Sequence, residues 1–218
     1  MRPRVKICCI LDEDEAALAI RAGADCVGLV GPGLSGPEVR DEVTIARIAR
    51  TLPPPVGGVL LTRETAPDAL VAQVRRCAAP WVQICDEVSP DAWSALRANT
   101  PNVRILQVVH VDGPEAITRA AQTAPFVDAI LLDSGTPSGP NPVYGGTGRT
   151  HDWSISRDIV RTCGRPVFLA GGLRPENVAD AWATVRPFGL DLCSGVRVAG
   201  RLDAARLRDF FDAVSRLT

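Results

Sequence analysis

The chain has 218 residues, 46% of them hydrophobic and 22% charged, with a net charge of −1; that is ample apolar material for one core, so a single domain over residues 1–218 is expected. Acids and bases are mixed throughout, which excludes the basic stripe a nucleic-acid backbone requires and points to a small-molecule partner instead. No apolar run approaches a membrane span, and Met1-Arg2-Pro3-Arg4 leads into a short strand without a signal-peptide pattern, so the expectation is a cytoplasmic protein with no membrane partner.

Apolar, β-branched runs recur along the chain at Val5–Ile10, Cys26–Val30, Val56–Leu61, Trp81–Ile84, Val103–Val109, Val127–Leu132, Pro166–Leu169 and Gly189–Leu192. Between them lie segments with helical spacing and helix-start signals: Asp12–Arg21, Glu42–Arg50, Pro67–Arg76, Pro90–Leu96, Pro114–Gln122, Ser154–Arg161, Pro175–Val185 and Asp203–Leu217. Several open on a proline, whose missing N–H costs nothing in a first helical turn. Strand and helix thus alternate eight times, and near-continuous apolar strands imply parallel pairing with both faces covered. The fold class read from this pattern is α/β, a single (β/α)8 TIM barrel, with its chemistry at the C-terminal ends of the strands.

Seven cysteines without paired spacing suit a reducing compartment better than a disulfide framework. Cys8-Cys9 is read as no metal motif, because neighbouring strand residues point to opposite faces, and only His110 and His151 could add imidazole ligands. Neither a metal nor a cofactor is expected. Trp81, Trp93, Trp153 and Trp182 fall on apolar faces and read as packing residues.

The strand ends supply the candidate site. Cys8 or Cys9 follows the first strand, Thr62 and Arg63 the third, Cys85 and Asp86 the fourth, His110 the fifth, Asp133 the sixth, Gly171 the seventh and Ser194 the eighth. Gly145-Gly146-Thr147-Gly148-Arg149-Thr150, Ala170-Gly171-Gly172 and Cys193-Ser194-Gly195 are backbone-permissive segments beyond three successive strands. Such segments let main-chain N–H groups approach an anion, so together they predict a phosphate pocket. Residues 134–152 form a long connection without periodicity, read as a lid with His151 in it. Cys8 and Asp133, on different sides of the mouth, form a candidate base and acid pair. A free thiol is mostly protonated at neutral pH, so Cys8 needs a nearby positive charge; Lys6, two residues back on the same strand face, is placed to supply it. Asp133 has the opposite need and must keep its proton, which burial beneath a lid favours.

Lys6-Ile7-Cys8, Ala22-Gly23-Ala24-Asp25, Leu131-Leu132-Asp133-Ser134, the segment Gly145 to Trp153, Leu169 to Val178 and Asp191-Leu192-Cys193-Ser194-Gly195-Val196 together resemble the phosphoribosylanthranilate isomerase family. The resemblance runs nearly end to end and is strongest in the C-terminal half. It implies a cofactor-free barrel of tryptophan biosynthesis performing an Amadori rearrangement of a phosphorylated aminoaldose to an aminoketose. It further implies Asp133 as general acid to the ring oxygen, Cys8 as general base at C2, and Gly146, Gly148, Gly171, Gly172, Ser194 and Gly195 around the phosphate. Asp191 matches a family aspartate near the substrate nitrogen.

Three departures fall on the aromatic side or floor of the expected pocket. Ser35-Gly36-Pro37-Glu38 stands where the family carries Ser-Pro-Arg, whose arginine grips the anthranilate carboxylate. Arg40 and Arg63 are the cations that could reach in, and Glu38 reads as a solvated loop charge. Gln83-Ile84-Cys85-Asp86 replaces Gln-Leu-His-Gly, and Cys9 replaces the glycine of Lys-Ile-Cys-Gly. The leading expectation is therefore an isomerase acting on an N-substituted 5-phosphoribosylamine, as monomer or homodimer. A second is a non-catalytic phosphosugar-binding or regulatory paralogue with an altered aglycone pocket. A third is an aldolase or epimerase using Lys6 as a Schiff-base amine, against which stands the simpler reading that Lys6 is ion-paired with Asp191.

Overall fold

The computed structural model describes residues 2–34, 36–135 and 150–217. Eight parallel strands close on themselves in chain order: β1 Arg4–Ile7, β2 Cys26–Val30, β3 Gly57–Thr62, β4 Trp81–Ile84, β5 Arg104–His110, β6 Ala129–Asp133, β7 Val167–Leu169 and β8 Gly189–Leu192. The helices α1 Glu13–Ala22, α2 Glu42–Thr51, α3 Pro67–Cys77, α4 Pro90–Asn99, α5 Glu115–Thr123, α6 Trp153–Thr162, α7 Val178–Val185 and α8 Ala204–Ser215 follow the strands one by one. This is the (β/α)8 barrel that the alternation predicts.

Residue period explains the two cores. Alternate strand residues such as Leu106, Val108, Leu131 and Phe168 point inward and pack with one another inside the barrel. Their neighbours Ile105, Val109, Ile130 and Leu169 point outward into a larger core shared with the helices. The same inward phase, continued past the strand ends, aims Cys8, Arg63, Cys85, His110, Asp133 and Cys193 at the mouth. Parallel register places His110 beside Asp133 on β5 and β6, and Lys6 beside Asp191 on β1 and β8.

Local chemistry sets the boundaries. Asp12 caps α1 by accepting the Glu15 N–H at 2.9 Å, and Asp203 caps α8 by accepting the Arg206 N–H at 2.8 Å, so both helices start one residue after the acid expected to open them. The first strand stops at Ile7 rather than Ile10, because Cys9 adopts φ 65°, outside the extended region. The seventh helix starts at Val178, not Pro175: Asn177 Oδ1 accepts the Arg174 N–H at 2.9 Å and holds the preceding residues in a turn. Beyond β8 the chain makes a one-turn 3-10 segment, Ser194–Val196, and a small antiparallel pair, β9 Arg197–Val198 with β10 Arg201–Leu202, which the hydrophobic pattern did not announce. Trp93 is buried against Phe126 with ring centroids 5.0 Å apart, a packing role as expected.

Candidate active site at the barrel mouth

A cavity of about 760 Å³ opens at the C-terminal ends of the strands. Cys8, Arg63, Asp133, Gly171, Gly172, Asp191 and Ser194 of the expected residues line it. Cys8 is buried at the end of β1, its N–H donating to the Leu192 carbonyl at 2.7 Å, and Asp133 closes β6, three strands away around the ring. Asp133 Oδ1 accepts the Ser134 N–H at 2.7 Å.

Below Cys8, Lys6 Nζ bonds Asp191 Oδ1 at 2.9 Å, with the two side chains 1% and 8% exposed. Burial alone would drive Lys6 down, but the attraction of Asp191 and of the Cys8 sulfur outweighs it and holds the ammonium well above the usual lysine range. Burial pushes Asp191 up, the Lys6 charge opposes that shift, and the Asp133 carboxylate adds to it. A lysine held protonated has no lone pair for carbonyl attack, so the ion pair argues against Lys6 as a Schiff-base amine.

The turns expected to hold a phosphate follow β7 and β8. Gly171 and Gly172 take φ 82° and 62°, and Gly195 packs so closely that a Cβ there would lie 2.2 Å from the Leu173 carbonyl oxygen. Gly195 thus brings the turn after β8 against the turn after β7. Gly146 and Gly148 lie outside the described residues, as does most of the expected lid.

The cations separate. Arg63 lines the cavity, its Nε donating to Asp86 Oδ2 at 2.9 Å. Arg40 is not among the lining residues; its Nε donates to the Leu11 carbonyl at 2.8 Å and its NH1 to the Pro37 and Val39 carbonyls at 3.0 and 2.7 Å. Glu38, expected as a solvated loop charge, is half-buried and lines the cavity because the segment after β2 folds over the mouth.

The premise that Cys8 and Cys9 face opposite ways fails. The left-handed turn at Cys9 brings both into the cavity wall, where the neighbouring Cys193 and Cys8 thiols, together with burial, raise the Cys9 thiol well above its usual value. The Cys9 thiol beside it shifts Cys193 the other way, downward. Among the described residues, no His, Cys, Asp and Glu group has metal-holding geometry.

Other residues noted at strand ends without a role, or not marked at all, also line the cavity. His110 is 8% exposed, and its Nε2 lies 3.3 Å from the Cys85 carbonyl oxygen, so it brings an imidazole to the wall where β4 carries Cys85 instead of histidine. The inward phase of Leu106, Val108 and His110 was the available signal. Burial pushes the Cys85 thiol up to about 12, which leaves it protonated. Arg197 also lines the cavity, and nothing in the sequence marked it. His151, just before α6, has its Nε2 2.6 Å from Ser156 Oγ and feels the Asp133 charge.

A closed parallel barrel whose C-terminal mouth gathers a thiol, two carboxylates and paired glycine turns defines the class, a (β/α)8-barrel enzyme. The family model for N-(5'-phosphoribosyl)anthranilate (PRA) isomerase matches residues 5–213, and the chain belongs to that family. It is 35% identical to the N-(5'-phosphoribosyl)anthranilate isomerase of Methanocella arvoryzae, with 97% of each chain covered. To the same-named protein of Haloarcula marismortui it is 41% identical, over 90% of this chain and 88% of the other. The crystal structure of phosphoribosyl anthranilate isomerase from Thermotoga maritima superposes with a TM-score of 0.82 at 30% identity, covering 99% of this chain and 100% of that one. A phosphoribosyl anthranilate isomerase in complex with reduced 1-(o-carboxyphenylamino)-1-deoxyribulose 5-phosphate gives 0.78 at 29%, with the same coverage. The family match supports the isomerase reading and lends nothing to a binding-only paralogue.

Proposed function

We propose that this chain is an aldose–ketose isomerase that converts N-(5'-phosphoribosyl)anthranilate to its aminoketose by an Amadori rearrangement in tryptophan biosynthesis. The observation that carries this reading is the placement of Cys8 and Asp133 on separate walls of one cavity, with the Gly171–Gly172 and Ser194–Gly195 turns at its β7–β8 end. The phosphate sits against those turns. Asp133 donates a proton to the furanose ring oxygen, the C1–O bond breaks, and the nitrogen lone pair forms the Schiff base. Cys8 as thiolate removes the C2 proton, giving an enaminol that tautomerises to the ketose. The protons exchanged balance and no atoms are gained or lost. The Lys6 ammonium, anchored by Asp191, provides the positive charge that a thiolate needs nearby, and Asp191 takes the role near the substrate nitrogen that the family resemblance implies.

Arg63 supplies the cation for the anthranilate carboxylate. It stands at the end of β3, across the ring from β7, so one extended substrate spans phosphate turns and guanidinium. Arg40 has no such part, since main-chain carbonyls hold its guanidinium. The family role of Gly146 and Gly148 at the phosphate is retained in this proposal on sequence alone.

The test is loss of substrate fluorescence on mixing purified protein with phosphoribosylanthranilate. Turnover is expected, and Cys8→Ala and Asp133→Asn should each lower kcat by about 10² to 10⁴, the range of general acid–base catalysis. Absence of turnover, or variants matching the parent, would defeat the proposal; calorimetric binding without conversion would favour a non-catalytic paralogue.

A further inference from the structure

Arg197 opens β9, immediately after the Ser194–Val196 turn, and its side chain runs back beneath the mouth toward β1. It is 8% exposed and bonds through NH1 and NH2, while its buried Nε finds no partner among the described residues. NH2 donates to the Cys9 carbonyl, to the Cys8 carbonyl at 3.4 Å and to Glu15 Oε2 at 3.1 Å, while NH1 donates to the Gly200 carbonyl at 2.8 Å. Glu15, 3% exposed on α1, is held in turn by the Leu11 N–H at 3.1 Å, the Leu202 N–H at 3.0 Å and Arg201 Nε at 3.2 Å. A guanidinium and a carboxylate, both buried and both bonded to main chain, thus tie the start of α1 and the β9–β10 hairpin to the two carbonyls that follow β1.

Those carbonyls need holding. Cys9 lies at φ 65°, a conformation that disfavours any residue with a Cβ and persists only where the surroundings impose it. The Cys8–Cys9 peptide fixes where the Cys8 side chain points, and a displacement of about 1 Å in a reacting group costs on the order of 10²-fold in rate. We propose that Arg197, anchored by Glu15, is a positioning residue: it clamps the strained Cys8–Cys9 turn and so aims the Cys8 sulfur into the cavity. The clamp also joins base and phosphate, because Arg197 follows directly on the Ser194–Gly195 turn. This rests on Cys8 as the base of the proposed isomerase.

Two readings test it, steady-state kinetics and alkylation of Cys8 by iodoacetamide, followed at the Cys8 peptide by mass spectrometry so that the other six thiols do not interfere. Arg197→Met should lower kcat about 10- to 100-fold with KM changed by less than about 3-fold, and should change the Cys8 alkylation rate by a comparable factor. Arg197→Lys should recover part of both. The decisive variant is Cys9→Gly, which removes the conformational penalty: added to Arg197→Met it should return at least about 10-fold of the lost kcat and restore the alkylation rate. A loss explained wholly by a smaller folded fraction in circular dichroism, with Cys8 alkylation of the folded protein unchanged, would overturn the proposal, as would failure of Cys9→Gly to rescue. If Arg197→Met does not fold, Glu15→Gln is read by the same criteria. A parent that converts no substrate would refute the isomerase while alkylation still judged the clamp.

Discussion

Burial pushes the His151 imidazole down to about 4, against the pull of the Asp133 and Asp152 charges. The folded state therefore binds this proton less readily than the unfolded chain, whose ordinary value is 6.5. The resulting stability is complete above pH 6.5 and is lost as pH falls toward 4. At 1.36 kcal/mol for each of about 2.5 units the loss is up to about 3 kcal/mol; urea titrations across that range should show it in the parent and not in His151→Phe. Gly28 gives a test of sulfur placement, since a Cβ there would lie 2.8 Å from Cys8 Sγ. Gly28→Ala should shift the thiol and lower kcat about 10- to 100-fold in steady-state assays. At this scale the sequence placed Cys8, Asp133 and Arg63 at strand ends, and all three line the cavity. It misjudged Glu38, missed Arg197 and gave His110 no part beyond its strand-end position, because a loop's path and a neighbouring strand's register are not local properties.

Element boundaries were set by caps and turns more than by hydrophobic period. Asp203 satisfies the first turn of α8 through the Arg206 N–H, and α8 packs on α1, on α7 and on the Ser194–Val196 turn. Asp203→Ala should cost about 1 kcal/mol in thermal or urea unfolding. The bounds of the strands Cys26–Val30, Trp81–Ile84 and Gly189–Leu192 were legible to the residue. Val5–Ile10 was overextended: Cys8-Cys9-Ile10 is apolar enough to continue a strand, and only the φ 65° turn shows why it does not. The β9–β10 pair was invisible because two-residue strands carry no period, yet that hairpin presents Arg197 to the site.

Closure of the whole molecule depends on the seam between the first and last strands. Four register pairs from Arg4↔Gly189 to Ile7↔Leu192 join β1 to β8, and the buried Lys6–Asp191 ion pair bridges them across 185 residues of sequence. Asp191→Asn would leave the Lys6 ammonium buried without its counter-charge, a change that costs about 3–5 kcal/mol. Equilibrium urea unfolding should register that loss in addition to any fall in activity, since the same pair lies below Cys8. A seam assembled only when the C-terminal quarter of the barrel arrives also makes this contact late in chain order, with the loop-closure cost of long-range pairing.

The sequence by itself determined the (β/α)8 alternation, the strands that carry sulfur and carboxylate, and the glycine turns at the β7–β8 end, because hydrophobic period and backbone-permissive residues are local signals that survive in one dimension. Tertiary structure alone decided that Arg63 and not Arg40 faces the cavity, that Glu38 joins its wall, and that Arg197 and Glu15 grip the Cys8–Cys9 turn. The reason is the ring: barrel closure and strand register bring together residues up to 189 positions apart, and the burial they share fixes their partners and charges.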